Sequence, residues 1–258
     1  MNTQNNQDNI FDESLLKCRQ RRAKAQGFVS FLHDKVILDL KDRLNEQRQG
    51  FPSVSIIGPF AEYWGRNLPF KLFKCYEDAQ ILPIKLKSSD LIISALYLHS
   101  VNDPIARLVQ MRNGLKEGGI LFAYAFGENS LYELRKSFEY ADCKNSGEGL
   151  PRVNPTADVP TFGSLLRRGG FNYCVSDKIS YVIEYDDPKE LFFDIRGMGE
   201  TNAMRERSRG PLHKKVLRDA LNFYKKNFAS MNTKGKYQAT FDIVCLTGWN
   251  SKPKQLPV

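Results

Sequence analysis

"DLIISALYLHSVNDPIARLVQMRNGLKEGGILFAYAFG", residues 90–127, is the stretch that decides the fold class. It contains two nearly continuous apolar runs, 90–98 and 120–127, typical of parallel strands that helices cover on both faces. Between them, Asp103 predicts a helix N-cap, and the glycines at 118 and 119 predict the end of that helix. This strand–helix–strand order predicts a doubly wound parallel α/β sheet.

The spacing of apolar residues predicts further elements along the rest of the chain. The predicted helices are 12–24, 28–45, 129–142, 160–170, 188–198 and 212–228. The predicted strands are 53–57, 171–185 and 237–249. Because two helices fall between the last two strands, we expect a helical insertion before a final strand that runs antiparallel.

Changes in composition and pattern divide the chain into five segments. We expect a disordered tail (1–10), N-terminal helices (11–50), a sheet core (51–187), a helical cap or insertion (188–235) and the final strand with a tail (236–258).

Charge and cysteine usage narrow the function classes. The net charge is +9, but the basic residues come in scattered pairs without interleaved aromatics, so no nucleic-acid partner is expected. The sequence contains no apolar run long enough for a membrane span and no apolar signal segment at its start. The five cysteines form no C-x-x-C pair and the three histidines have no zinc-site spacing, which predicts a cytoplasmic protein without a metal.

Several sequence blocks carry a family resemblance. "SALYLHSVNDP" (94–104) and "LKEGGILFAYAFGENSLYELR" (115–135) resemble the core of class I S-adenosylmethionine-dependent methyltransferases. The further matching blocks are "FDESLLKCRQRRA" (11–23), "LPRVNPTADVPTFGSLLRRGGF" (150–171), "FDIRGMGETNA" (193–203) and "ATFDIVCLTGW" (239–249). They are similar to the branch of the mitochondrial complex I assembly factor that hydroxylates an arginine, and of its α-proteobacterial relatives. The biotin-pathway malonyl-carrier-protein methyltransferase is a more distant relative.

The resemblance implies a Rossmann-like methyltransferase sheet that binds S-adenosylmethionine at the carboxyl ends of its first strands. It places Gly58, Ser94 and His99 at the cofactor. Glu77 and Asp78 would be the acids on the adenine side, with the second strand missing. Alternatively, Glu77 is the acid that binds the ribose and the third strand is missing.

The chain departs from the family's glycine-rich pattern at the first strand. Aligned on Gly58, the family's acid position holds Ile56, and its later glycine positions hold Phe60 and Glu62. Only 32 residues, 58–89, separate the first strand from the next core strand, and a β-α-β unit takes about 30. We therefore expect a sheet shortened in its second and third strand region, and an eroded cofactor motif.

Three residues are candidates for catalysis. His99 follows a core strand and could act as a base near neutral pH or be a hydrogen-bonded structural residue. Arg196 and Glu200 lie in "RGMGETN" (196–202), where polar groups between glycines favour a lid or substrate contact over a structural turn. The charged run 203–210 that follows could recognise an acidic protein surface.

Two functional hypotheses remain open. One is an enzyme that uses S-adenosylmethionine, either a methyltransferase or a protein-arginine hydroxylase, which could assist assembly of respiratory complex I. The other is a non-catalytic assembly factor that binds a protein partner, such as a complex I subunit, and no longer binds the cofactor.

Overall fold

The computed structural model describes residues 9–47 and 49–251. The helices are α1 (Glu13–Gln26), α2 (Phe31–Asn45), α3 (Ala61–Asn67), α4 (Pro104–Gly114), α5 (Tyr132–Ser146), α6 (Val159–Arg168), α7 (Pro188–Gly197) and α8 (Lys214–Asn227), with a 3₁₀ turn at Leu98–Ser100. The strands are β1 (Val54–Ile57), β2 (Lys74–Tyr76), β3 (Ser89–Ser94), β4 (Leu115–Phe126), β5 (Asn172–Tyr185) and β6 (Tyr237–Asn250). Most of the predicted tail at 1–10, and residues 252–258, lie outside the described residues.

Within the described residues, the strands form one six-stranded sheet in the order β2-β1-β3-β4-β6-β5. The pairs β1–β2, β1–β3 and β3–β4 are parallel, and β4–β6 is antiparallel. The α/β class and the antiparallel last strand are therefore confirmed. The helical insertion before that strand is also confirmed, because α7 and α8 lie between β5 and β6.

The shortened region of the sheet holds a single short strand. β2 pairs with β1 on the side away from β3, with Ile56 opposite Cys75. In a doubly wound sheet the second strand lies beside the first, and the third lies outside it. β2 therefore occupies the place of the second strand, and no described strand lies outside it.

Several predicted boundaries are wrong: α2 begins at Phe31, α5 spans Tyr132–Ser146, and two further errors concern β3 and α4. The strand expected over 90–98 ends at Ser94, because Leu96 adopts a left-handed conformation (φ 52°) that turns the chain into the 3₁₀ turn. Helix α4 ends at Gly114, and the glycines at 118 and 119 lie within β4. Helix α4 ends earlier than predicted because Leu115 already pairs with Ser89 of β3.

The chain divides into two compact units. The helical unit comprises the described parts of 1–30, 128–156 and 180–242, and contains α1, α5, α7 and α8. The sheet unit comprises the described parts of 31–127, 157–179 and 243–258, with β1–β4 and their flanking helices. The five-segment division from sequence stays a prediction.

The core of the sheet unit lies on the two faces of its parallel strands. Ile56, Ile57, Ile92 and Ile93 are fully buried, as expected for strands with helices on both sides. This packing fixes the carboxyl ends of β1, β2 and β3 along one edge of the sheet. Ligands of open α/β sheets bind at this edge.

Candidate functional site

Gly58 follows β1 in a backbone conformation that favours glycine, with φ of 142°. Its N–H donates to the carbonyl of Tyr76 at 3.0 Å, which ties the loop to the end of β2. A Cβ atom at this position would lie 3.1 Å from the carbonyl oxygen of Ala95 and 3.2 Å from the ring of Tyr97. The protein's own turn after β3 therefore requires the glycine.

Aromatic side chains surround the loop that follows Gly58. Phe60 is 5% exposed and Trp64 is fully buried. The Trp64 indole N–H donates to Nδ1 of His33 at 2.8 Å, and the rings of His33 and Phe60 meet edge-on with centroids 5.4 Å apart. Burial lowers the pKa of His33 to about 3, so its imidazole is neutral. Of the two positions where the family has its later glycines, Phe60 belongs to a packed aromatic cluster with His33 and Trp64, whereas Glu62 is exposed.

The two acids after β2 have different environments. Glu77 is exposed, whereas Asp78 forms an ion pair with Arg107 at 2.9 Å. Arg107 also donates to the carbonyl of Ala79, so α4 holds the segment after β2 in place. Arg107 is largely buried, and its ion pair with Asp78 helps to hold this segment, while the assignment of Asp78 to the cofactor stays a prediction.

The end of β3 carries two buried hydroxyl groups. Ser94 is fully buried and Tyr97 is 2% exposed. Burial, reinforced by the charge of Asp78, raises the pKa of Tyr97 well above its ordinary value, although Arg107 opposes the effect. The side chain of Ser94 hydrogen-bonds to the Tyr97 hydroxyl, which also opposes the rise in the pKa of Tyr97. Tyr97 is therefore a neutral phenol.

His99 is largely buried in the 3₁₀ turn. Its Nδ1 accepts a hydrogen bond from the backbone N–H of Phe126 at 3.3 Å, and the two rings meet edge-on with centroids 4.6 Å apart. An accepting Nδ1 means that a neutral imidazole carries its proton on Nε2. Asp103, nearby in sequence, caps α4 by accepting from the N–H of Ala106 at 2.9 Å. These contacts show how both side chains are held in place, and the catalytic and cofactor roles of His99 stay predictions.

Arg196 and Glu200 belong to the helical unit, at the end of α7, whereas His99 belongs to the sheet unit. The N–H of Gly199 donates to the carbonyl of Arg196 at 3.1 Å, and that of Glu200 donates to Ile195 at 2.9 Å. Gly199 has φ of 79°, and this pair of bonds is the usual glycine-closed end of a helix. Gly199 therefore has a structural explanation, and the catalytic roles of Arg196 and Glu200 stay predictions.

The polar groups of "RGMGETN" include Asn202, but sequence reasoning missed that Asn202 and Asn154 join two of the matching blocks within the helical unit. Asn202 donates to the carbonyl of Pro151 at 2.6 Å, and the N–H of Ala203 donates to the side chain of Asn154 at 2.8 Å. It also missed Tyr97, because an apolar run with an aromatic residue predicts only a core strand. For the two asparagines, the available signal was that each lies in one of the matching loop blocks.

The described residues contain no group of three or more histidine, cysteine, aspartate or glutamate side chains that could hold a metal ion. No helix in the described ranges is long and apolar enough to span a bilayer.

The fold and its relatives define the class of protein: the chain belongs to the class I methyltransferase family. It is 29% identical to human mitochondrial arginine-hydroxylase NDUFAF5 over 274 aligned residues, covering 96% of this chain and 79% of the relative. It is 31% identical to the malonyl-[acyl-carrier protein] O-methyltransferase of Nitrosospira multiformis, over 69% of this chain and 54% of that one. No family model matches.

Among solved structures, the fold is similar to that of the YcgJ protein of Bacillus subtilis. The TM-score is 0.51 with 12% identity, over 85% of this chain and 100% of the other. This likeness concerns the fold alone.

Proposed function

We propose that this protein is a non-catalytic assembly factor that binds a protein partner on a methyltransferase fold, without S-adenosylmethionine. The observation that carries the proposal is the contact of Tyr97 and Ala95 with Gly58. A cofactor lying along a glycine needs the backbone there to be open, because even a Cβ would collide with it. Here the turn after β3 covers that backbone.

The other residues assigned to the cofactor support the same reading. Phe60 is buried beside His33, so its ring occupies space next to the loop. Asp78 is engaged by Arg107. Glu77 alone suits the cofactor, because it is exposed and follows the strand beside β1, where an acid can bind ribose hydroxyls. As a set, these residues do not fit S-adenosylmethionine in the position that the family implies.

The relatives suggest the kind of partner. The similarity to arginine-hydroxylase NDUFAF5 covers 96% of this chain and so includes the helical unit as well as the sheet. By this resemblance, the partner is a subunit of respiratory complex I. These relatives are mitochondrial proteins by name, and the cytoplasmic location of this chain stays a prediction.

Calorimetric titration with S-adenosylmethionine and S-adenosylhomocysteine tests the cofactor part of the proposal. We expect no heat and no thermal shift, whereas a ligand at 100 times its dissociation constant would add about 2.7 kcal/mol of stability. Tyr97→Ala is the matched variant, because it removes the ring that lies against Gly58. It tests whether this ring is what excludes the cofactor. Tight binding by the unaltered protein, lost in Glu77→Ala, would contradict the proposal.

A complementation experiment tests the assembly part. We expect loss of the protein to lower the amount of assembled complex I on native gels of the source organism. Both the unaltered chain and Glu77→Ala should restore it, because Glu77 is the one acid suited to the cofactor. Restoration by the unaltered chain alone would point to cofactor-dependent activity.

A cofactor-dependent methyltransferase or protein-arginine hydroxylase is the second candidate. Gly58 and the exposed Glu77 favour it, since both stand where a cofactor of this family would contact the chain. The titration separates the two candidates, because only the enzyme requires the cofactor to bind.

A further inference from the structure

Four aromatic side chains form a continuous strip on the surface of the helical unit, where α5 packs against α8. Tyr132 and Tyr140 of α5 are 43% and 44% exposed, and Phe223 of α8 and Phe228 at its end are partly exposed. The ring centroids lie close together in series: Tyr132 and Phe228 are 6.1 Å apart, Phe228 and Phe223 are 6.2 Å apart, and Phe223 and Tyr140 are 4.4 Å apart. We call these four residues the aromatic strip.

The strip is apolar surface in addition to the core of the two helices. Single exposed apolar residues are normal on a protein surface, but contiguous ones mark interaction sites. Helices α5 and α8 bury a different set of apolar residues: Leu134, Phe138, Ala141, Val216, Ala220 and Tyr224. Because the four rings remain partly exposed after α5 and α8 have packed, they offer a surface to another molecule.

Two acidic side chains beside the strip are paired with lysines. Glu139 pairs with Lys136 at 2.8 Å on α5. Asp219 of α8 is buried; it accepts from the side chain of Asn145 at 3.0 Å and lies 3.5 Å from Lys144. Both acids therefore already have basic partners within the helical unit.

Two lysines of α8 remain without an acidic partner. Lys226 lies three residues after Phe223, so the two side chains are neighbours on the helix surface. Lys215 lies eleven residues before Lys226, close to three helical turns, so both are on the same side of α8, about 16 Å apart. Both are exposed, and neither side chain forms an ion pair with another residue of the described ranges. The charge along this side of the strip is therefore positive.

The contacts within the strip favour a peptide over a nucleic acid. A nucleotide base stacks on the face of an aromatic ring. Phe223 stacks on the ring of Tyr140 with 25° between the planes, and Lys144 lies over that ring, 5.9 Å from its centroid. Aliphatic side chains can pack on ring edges instead, and an amphipathic helix presents them in a row at i, i+4 and i+7. Such a row is about 10 Å long, comparable with the distance of about 12 Å between positions 132 and 140 of α5.

We propose that the aromatic strip docks an acidic amphipathic helix of a partner protein. Apolar side chains of that helix pack on the strip, and its carboxylates face Lys226 and Lys215. This inference rests on the proposed function for its choice of a protein partner. It adds the place at which the partner binds and the chemistry that recognises it.

Fluorescence anisotropy of the full chain with a labelled amphipathic peptide tests the proposal. The peptide has leucine at i, i+4 and i+7 and glutamates beside this row. At low salt we expect binding that Tyr140→Ser weakens by about tenfold, a loss of about 1.4 kcal/mol, because aromatic anchors carry much of the energy of an interface. Lys226→Glu should weaken it by a similar factor, and added salt should reduce that difference. Peptides with serine in place of the leucines, or lysine in place of the glutamates, should bind more weakly than the original.

The matched controls are two exposed residues outside the strip. Tyr173→Ser alters a tyrosine of β5 that is 58% exposed, and Lys17→Glu makes an equal charge change at an exposed lysine of α1. Neither should weaken binding as much as its counterpart. Thermal melts check folding, and since Lys226 is exposed, its variant tests the proposal even where Tyr140→Ser is less stable.

Four outcomes would overturn the proposal. They are no peptide binding at low salt, equal losses in the control variants, tighter binding of a labelled oligothymidylate that Tyr140→Ser abolishes, and self-association of the unaltered protein in sedimentation equilibrium that Tyr140→Ser abolishes. The last two would make the strip a nucleic-acid site or a contact between copies. Failure of peptide binding leaves the proposed function to the cofactor titration and the complementation. A positive titration would contradict the proposed function and leave the peptide result standing.

Discussion

Acidification should destabilise the protein through His33. This side chain is 1% exposed, and its Nδ1 accepts the indole N–H of Trp64 at 2.8 Å. Burial lowers its pKa from 6.5 to about 3; Asp34 opposes the shift and His99 adds to it. The folded protein therefore keeps His33 neutral at pH values where the unfolded chain protonates it.

The sign and size of the effect follow from this difference. Between about pH 6.5 and 3 the unfolded chain binds a proton that the folded state does not, so the unfolding free energy falls as the pH is lowered through this range. His33's contribution is complete above the unfolded pKa. One pKa unit corresponds to about 1.4 kcal/mol, so lowering the pH from 7 to 5 should cost about 2 kcal/mol.

Urea denaturation at pH 7, 6 and 5 measures this loss. In His33→Gln the side-chain oxygen can still accept from Trp64 but does not titrate, so the variant should lose about 2 kcal/mol of the pH dependence. His213→Gln, at an exposed histidine, is the matched control and should retain it. If His33→Gln shows the same dependence as the unaltered protein, other groups cause it and the reasoning about His33 is wrong.

Two further substitutions test packing and a buried ion pair by urea denaturation. A Cβ at Gly197 would lie 2.3 Å from a methyl group of Val29, so Gly197→Ala should lower the unfolding free energy by about 1–3 kcal/mol. Gly50→Ala, with no atom within 4 Å, should not. Arg152→Met should cost about 3–5 kcal/mol, because Asp142 is buried and receives two bonds from Arg152 at 2.6 Å. An equal loss after replacing both residues by apolar ones would refute the ion-pair explanation.

The sequence predicts strand β3 but not its end. Ala95, Leu96 and Leu98 continue the apolar run, and an apolar run cannot distinguish a strand from a buried turn. The left-handed conformation of Leu96 ends the strand. Tyr97 then packs against Gly58, which is far away in sequence. Local spacing does not contain this information, so the contact most relevant to the cofactor was unpredictable.

The glycines of "RGMGETN" show the same limit in the helical unit. Their pattern marks a special turn, and the structure places one there: Gly199 closes α7. The pattern cannot show which residues pack against these glycines. Gly197 packs against Val29. A Cβ atom at Gly199 would lie 3.2 Å from the backbone of Gln20. Both neighbours come from the N-terminal part of the chain, 168 and 179 positions away.

The placement of β2 favours one of the two alternatives for the acids after it, which both stay predictions. A strand that pairs directly with β1 occupies the second position of a doubly wound sheet, so the shortening removes the outer, third strand. On this alternative Glu77 would be the acid that binds the ribose, and no described strand carries an adenine-side acid. This agrees with the proposed non-catalytic function, because the side chains of Tyr97 and Phe60 are buried after β3 and β1.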